Sequence, residues 1–183
     1  MDLVIALPGI LALAVAVPFV ALVDLFGNRG PLFYSQPRVG KDGVVFTIHK
    51  FRTMPPGSAT SSWTAVNDPR LGKVGKLLRR LHVDELPQVW NVLRHELSIV
   101  GPRPEQPHYV ELLAKTIPFY DLRHLVRPGI TGWAQINYDY GSSDIDALEK
   151  LQYEFYYLRH QSLGLDLQII GRTLRTVFED RGR

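Results

Sequence analysis

No cysteine occurs among the 183 residues, so a disulfide framework and a thiolate metal site are excluded, and the chain suits a reducing compartment. None of the six histidines stands at metal-ligand spacing from another, which argues against a zinc site. Several common catalytic patterns are missing as well: there is no GxSxG, no HExxH, no GxGxxG and no GxxxxGK[ST] stretch. Internal repeats are absent, and no linker divides the chain into two folding units. Acidic residues are scarce in one place: residues 38–82 hold nine Lys or Arg against only Asp42 and Asp68. That block carries +7 and leaves −4 on the remainder, so it faces something anionic, whether phosphate, nucleic acid or lipid headgroups.

What is present begins with apolar content. At 45% hydrophobic residues the chain can bury one core, and disorder is not expected. Leu3 to Val23 is 21 residues without a charged or strongly polar side chain, long enough to cross a bilayer. No basic stretch precedes it and no small-residue cleavage site follows, against a cleaved signal peptide. Pro18 removes the hydrogen bond to the carbonyl of Ala14 and crowds that turn, so a kink or break is expected there. Three arrangements follow from the residues alone: a kinked span, a helix-break-helix that returns to the same face, and a buried core helix.

Beyond this run, two short apolar stretches, Leu32–Tyr34 and Val44–Phe51, flank Lys41-Asp42-Gly43, which reads as a hairpin turn. "TMPPGSATSSWTAVNDPRLG" reads as a long loop of the lid or binding kind. Helices are then expected over about 73–81, 85–96, 105–115, 118–125, 144–160 and 165–179. In the last of these Leu167, Ile170, Leu174, Val177 and Phe178 share a face while Arg172, Arg175 and Glu179 populate another, as in a helix lying at a membrane interface or packed on a core.

The adjacent carboxylates Asp84 and Glu85 in "LRRLHVDELPQVWNVL" hold the chemistry. Asp84 suits an N-cap, Glu85 then falls in the first turn, and Pro87 is tolerated there. Capping alone is worth ~0.3–1 kcal/mol per acid through the helix dipole. The company of Arg79 and Arg80 one turn upstream favours a phosphate site, with a hard cation such as Mg²⁺ relieving repulsion between carboxylate and diphosphate. In "SIVGPRPEQP", Pro102 and Pro104 stiffen the chain around Arg103. Lys50 and Arg52 sit two apart on one strand face and could address one anion, and Arg127 in "RPGITGWAQIN" offers a further phosphate contact or a simple turn.

In order, the blocks "MDLVIALPGILALAVAVP", "FYSQPRVGKDGVVFTIHKFRTM", "NDPRLGKVGKLLRRLHVDELPQVWNVLRHELSIVGPRPE" and "RPGITGWAQIN" resemble the bacterial polyprenyl-phosphate sugar-1-phosphate transferases, the monotopic phosphoglycosyl transferases, over essentially the full length. The tail "NYDYGSSDIDALEKLQYEFYYLRHQSLGLDLQIIGRTLRTVF" is similar to the subgroup associated with exosortase and exopolysaccharide loci. The resemblance implies an α+β, mostly helical chain with a small hairpin and interfacial amphipathic helices. Residues 1–26 would form a re-entrant membrane helix broken at Pro18, and residues 27–183 a catalytic domain on the cytoplasmic face of the bacterial inner membrane.

It also implies a two-step transfer, the first membrane step of exopolysaccharide or glycoconjugate assembly. Asp84 attacks the β-phosphate of a nucleotide sugar, with UDP the expected nucleotide, and polyprenyl (undecaprenyl) phosphate then takes the sugar-1-phosphate. Glu85 and Asp84 would hold Mg²⁺, while Lys50, Arg52, Arg79, Arg103 and Arg127 bind phosphate or nucleotide. Nucleotide sugar, polyprenyl phosphate and membrane lipid are the implied partners, nucleic acid is not, and dimerisation is left open. Two departures stand out: Val17 replaces a serine common in relatives, and the basic pair usual before the first aspartate is absent ahead of Asp2, as in a trimmed or minimal form. Two competing readings remain at this level. Asp84 could act as a base in a single-step transfer, or the chain could be a membrane-tethered polyanion binder or scaffold without catalysis.

Overall fold

The computed structural model describes residues 1–27, 30–55, 71–138 and 144–178. Helices α1 (Asp2–Gly27), α2 (Lys73–Arg80), α3 (Val89–Leu93), α4 (Pro107–Thr116), α5 (Trp133–Asn137), α6 (Asp144–His160) and α7 (Leu163–Phe178) dominate, joined by 3-10 helices at Val83–Gln88 and Tyr120–Leu125. An antiparallel hairpin, β1 (Phe33–Val39) and β2 (Val45–Phe51), turns at Lys41–Gly43, where Asp42 and Gly43 take positive φ. Two three-residue strands, β3 (Ser98–Val100) and β4 (Gly129–Thr131), pair in parallel. The α+β, mostly helical class and the hairpin turn thus stand as expected. The loop expected over 53–72 falls largely outside the described residues.

α1 is one helix from Asp2 to Gly27 with Pro8 and Pro18 inside it, so the break expected at Pro18 does not interrupt it. Proline costs a helix its local hydrogen bond, but packing can hold the turn together. Here the packing runs along both halves of the helix. Ala6, Ile10 and Leu13 join Phe46, Ile48, Val89, Val92 and Leu97 in one apolar cluster. Ala16, Val17 and Val20 join Phe51, Leu78 and Leu86 in another. At the helix start the Asp2 carboxylate accepts from Ser98 Oγ at 3.0 Å and the Ile99 amide, and meets Arg127 at 3.4 Å. The opposite face is a continuous exposed line of Val4, Leu7, Leu11, Val15, Phe19 and Leu22, each 57–74% accessible.

Parity in β2 decides what reaches the site. Phe46 and Ile48 point into the core, so Lys50 follows on the same side, while Phe51 is buried on the other. The expected helix over 85–96 is instead a 3-10 turn and a short α3 that ends at Leu93, with strand β3 following at Ser98. Asn91, 1% exposed, ties that unit to the hairpin by donating to the carbonyl of Thr47 at 2.8 Å and to Glu96 at 2.7 Å.

The segment 102–105 is pinned at four successive carbonyls by three elements, β1, β4 and the Tyr120–Leu125 turn. Pro102 accepts from the Gly129 amide (2.8 Å), Arg103 from Arg123 Nη2 (2.8 Å), Pro104 from Arg38 Nη1 (3.0 Å) and Glu105 from the Val39 amide (2.9 Å). Arg123 itself is 4% exposed, held by both oxygens of Glu154 at 2.7 and 2.9 Å and by the Tyr120 hydroxyl. Removing one member leaves a buried charge uncompensated, so Glu154→Ala is expected to destabilise the protein by about 3–5 kcal/mol in thermal or denaturant unfolding in detergent. A backbone contact makes a second prediction. A Cβ on Gly129 would lie 2.1 Å from the Gly101 amide nitrogen, whereas one on Gly171 of α7 meets nothing within 4 Å. Gly129→Ala should therefore cost at least ~2 kcal/mol while Gly171→Ala gains roughly 0.5–1 kcal/mol in the same melts.

Candidate active site

The two acids sit in the first turn of the 3-10 helix Val83–Gln88, entered through His82 in a left-handed conformation (φ 52°). Asp84 was expected to cap a helix, yet no side-chain cap bond closes this turn. Its carboxylate is not spent on local structure. Among the described residues none makes a hydrogen bond or ion pair with it, although Asp84 is only 8% exposed. Burial, reinforced by the neighbouring Glu85 charge, pushes its pKa up to about 6 from the ordinary 3.8, against the opposing pull of Lys50, Arg79 and His82.

Glu85 meets the opposite fate. Lys50 Nζ donates to its Oε1 at 2.5 Å, and Arg103 Nη2 lies 3.8 Å from the same oxygen. Burial raises its pKa, but Lys50, Arg103 and His82 together outweigh that and hold it at about 2. One carboxylate is thus fixed as an anion between two cations, and the other is desolvated and unspent. Neighbouring acids pushed apart in this way suit different chemical tasks.

Of the residues singled out from the sequence, Lys50, Arg79, Asp84, Glu85 and Arg103 come together here. Arg79, on α2, donates from Nε to Thr53 Oγ1 at 3.0 Å, and its charge acts on Asp84. Arg52 is 5% exposed and donates to the carbonyls of Pro31 (2.5 Å) and Met54 (3.0 Å), bracing the two ends of the hairpin. Arg127 stands elsewhere, beside the start of α1, bonded to His95 Nδ1 at 3.1 Å and paired with Asp2. With Met1, Leu3, Ser98 and Asp166 these residues line an open cavity of about 390 Å³.

Several contributors had no sequence signal. Thr53 reads as loop, Arg123 as one more helical charge, and Asn91 as a polar residue on an exposed face. His82 carries no glycine to mark its left-handed backbone. Only the repeated donors to one proline-stiffened loop, visible in three dimensions, identify Arg38 and Arg123 as its supports.

As an arrangement, a desolvated carboxylate among Lys50, Arg79 and Arg103 can meet a phosphorus centre whose oxygens the cations neutralise. Residues 1–180 match the family described as bacterial sugar transferase. The chain is 40% identical over 182 residues to the UDP-N-acetylgalactosamine-undecaprenyl-phosphate N-acetylgalactosaminephosphotransferase of Aeromonas hydrophila, across 94% of this chain and 43% of that protein. It is 38% identical to the uncharacterized sugar transferase EpsL of Bacillus subtilis (99% of this chain, 87% of that one) and 35% identical to the exopolysaccharide production protein ExoY of Sinorhizobium fredii (99% and 85%). It therefore spans less than half of the first relative and most of the other two. With the match running over nearly every residue, the chain belongs to the bacterial sugar transferase family.

Proposed function

We propose that the protein transfers a sugar-1-phosphate from a UDP sugar to undecaprenyl phosphate through a phosphosugar ester on Asp84. The carrying observation is the division between the two acids: Asp84 buried and unspent, Glu85 locked to Lys50 and Arg103. The names of relatives supply the substrates, since the Escherichia coli and Xanthomonas campestris proteins that match are UDP-glucose:undecaprenyl-phosphate glucose-1-phosphate transferases.

In the first step an Asp84 carboxylate oxygen bonds to the β-phosphorus while the bond to the bridging oxygen breaks, and UMP departs with the electron pair. In the second, an oxygen of undecaprenyl phosphate attacks that phosphorus and the Asp84 carboxylate is regenerated. Arg79 and Arg103 bind the phosphoryl oxygens. Lys50 holds Glu85 and adds positive charge, and Arg52 keeps the strand end in place from behind. Arg127, beside the start of α1, would act on a more distant part of the substrates. Among the described residues no group of three or more His, Cys, Asp or Glu forms a cage. The buried Asp84 carboxylate beside Glu85 suits a hard cation: these two residues would hold Mg²⁺, which would neutralise diphosphate charge.

The packing of α1 supports membrane attachment on one side. The helix is about 39 Å long and its segment Asp2–Leu25 is apolar enough to cross a bilayer of roughly 30 Å core, yet both halves lie against the same body. A straight crossing would drag that body through hydrocarbon. We read α1 as entering from the cytoplasmic face of the inner membrane with its exposed apolar line in lipid. α7 resembles a surface helix, burying Ile169 while Leu163, Leu167 and Leu174 stay more than half exposed.

Asp84→Asn should abolish both lipid-dependent transfer and exchange of labelled UMP into UDP sugar; normal turnover by that variant would reject the assignment. Omission of lipid should leave a labelled phosphosugar on residue 84, and failure to trap it favours the single-step route with Asp84 as base. The wild-type rate should climb with pH through about 6, as Asp84 loses its proton, and level off above. Stability runs the other way. The unfolded chain ionises Asp84 near 3.8 and the folded one near 6, so stability falls between those values and stays reduced above them. Asp84→Asn should accordingly melt higher than wild type at pH 7.5, by on the order of 1–3 kcal/mol, with the gap closing below pH 4.

A further inference from the structure

Thr53 lies just past β2, in no regular element, and is 7% exposed. Its backbone touches α2 where the helix has no side chain: a Cβ on Gly75 would sit 2.1 Å from the Thr53 carbonyl oxygen. Gly75 and Arg79 are four residues apart and so share a face of α2. The close approach at Gly75 therefore delivers the Thr53 hydroxyl to the next turn, where it accepts from Arg79 Nε at 3.0 Å. A guanidinium is a planar fork with five N–H donors. With Nε committed to Thr53, the edge formed by the two terminal nitrogens is the one left to grip an oxyanion in bidentate fashion.

We propose that Thr53 is a positioning residue of this site, its hydroxyl holding the Arg79 guanidinium in the plane that presents its terminal edge to the phosphoryl group arriving at Asp84. The proposal rests on the transferase reading for the identity of that group. It gives a physical reason for a threonine, rather than an apolar β-branched residue, at the strand end, and for glycine at position 75. Lysine at position 79 could not substitute: its three donors sit on one freely rotating nitrogen, so it has no plane for Thr53 to fix and no bidentate edge to present.

The test is a double-mutant cycle on the full chain in detergent or lipid discs, with a UDP sugar and undecaprenyl phosphate as substrates. Thr53→Val keeps the shape and removes the hydroxyl. It should lower kcat roughly 10- to 100-fold with KM for the UDP sugar changed less than about twofold. Thr53→Ser should restore most of the rate. In an Arg79→Lys background, Thr53→Val should cost almost nothing further, since no guanidinium plane is left for the hydroxyl to fix. Equal losses in both backgrounds, or a serine variant as slow as valine, would overturn the role. A second readout is independent of turnover: in ¹⁵N-labelled protein the Arg79 Nε–H signal should exchange slowly with solvent in wild type and Thr53→Ser and rapidly in Thr53→Val. Exchange that ignores the substitution overturns the proposal even if no transferase activity is found, whereas an inactive wild type with the expected exchange pattern overturns the transferase reading alone.

Discussion

The ion pair between Lys50 and Glu85 is the constraint on which the rest of the site depends. It joins the end of a hairpin strand to a 3-10 turn 35 residues later, and the 2.5 Å contact fixes both elements at one point. More than geometry follows. Two adjacent carboxylates in one desolvated place cannot both stay charged at little cost. Lys50, with Arg103 beside it, settles the charge on Glu85, and the burden of burial passes to Asp84. A poorly solvated carboxylate is thereby maintained next to cations without pairing with any of them among the described residues. Stability is sacrificed locally, as is common where a site must stay ready for substrate.

Rigidity around this pair comes from distant parts of the chain. The loop carrying Arg103 contains two prolines, but prolines alone do not fix where a loop points. Four carbonyls bound by β1, β4 and the Tyr120–Leu125 turn do so, and the buried Arg123–Glu154 pair extends that support to α6. On the other side Gly75 lets Thr53 reach Arg79, so each arginine near Asp84 has its own brace. The apolar helix α1 underlies the whole, packing against the hairpin, α2 and α3 on one face and leaving an apolar line outward on the other. On the proposed function, a site tied so closely to an apolar helix sits where a water-soluble sugar donor and a membrane-bound acceptor can both arrive.

Much of this was legible in the residues. Leu3–Val23 announced an apolar helix by length, Lys41-Asp42-Gly43 a turn by its residue types, and Asp84-Glu85 between an arginine pair and a proline a charged helix mouth. Lys50, Arg79 and Arg103 were drawn to the same place by composition and motif. Where the reading slipped, non-local packing was the reason. The segment after Gln88 has helical content but stops at Leu93, because Ser98–Val100 finds a strand partner 31 residues away in Gly129–Thr131. Pro18 sits in a helix that continues, since neighbouring side chains hold the turn that proline weakens. Arg52 and Arg127 have the charge of phosphate ligands, while their side chains are engaged with backbone carbonyls in one case and with Asp2 and His95 in the other.

By itself the sequence determined the fold class, the apolar N-terminal helix, the hairpin and the residue types of the site, because these depend on periodicity, turn chemistry and charge within short windows. Only the tertiary structure decided which acid is neutralised and which is left buried without an ion-pair partner among the described residues. That choice is made by a lysine 34 positions before Asp84 and an arginine 19 after it, and no local pattern encodes the distance between them. It likewise decided that α1 lies along the body carrying Asp84 and Glu85 instead of leaving it, since burial on both halves of one helix is a property of the packed chain.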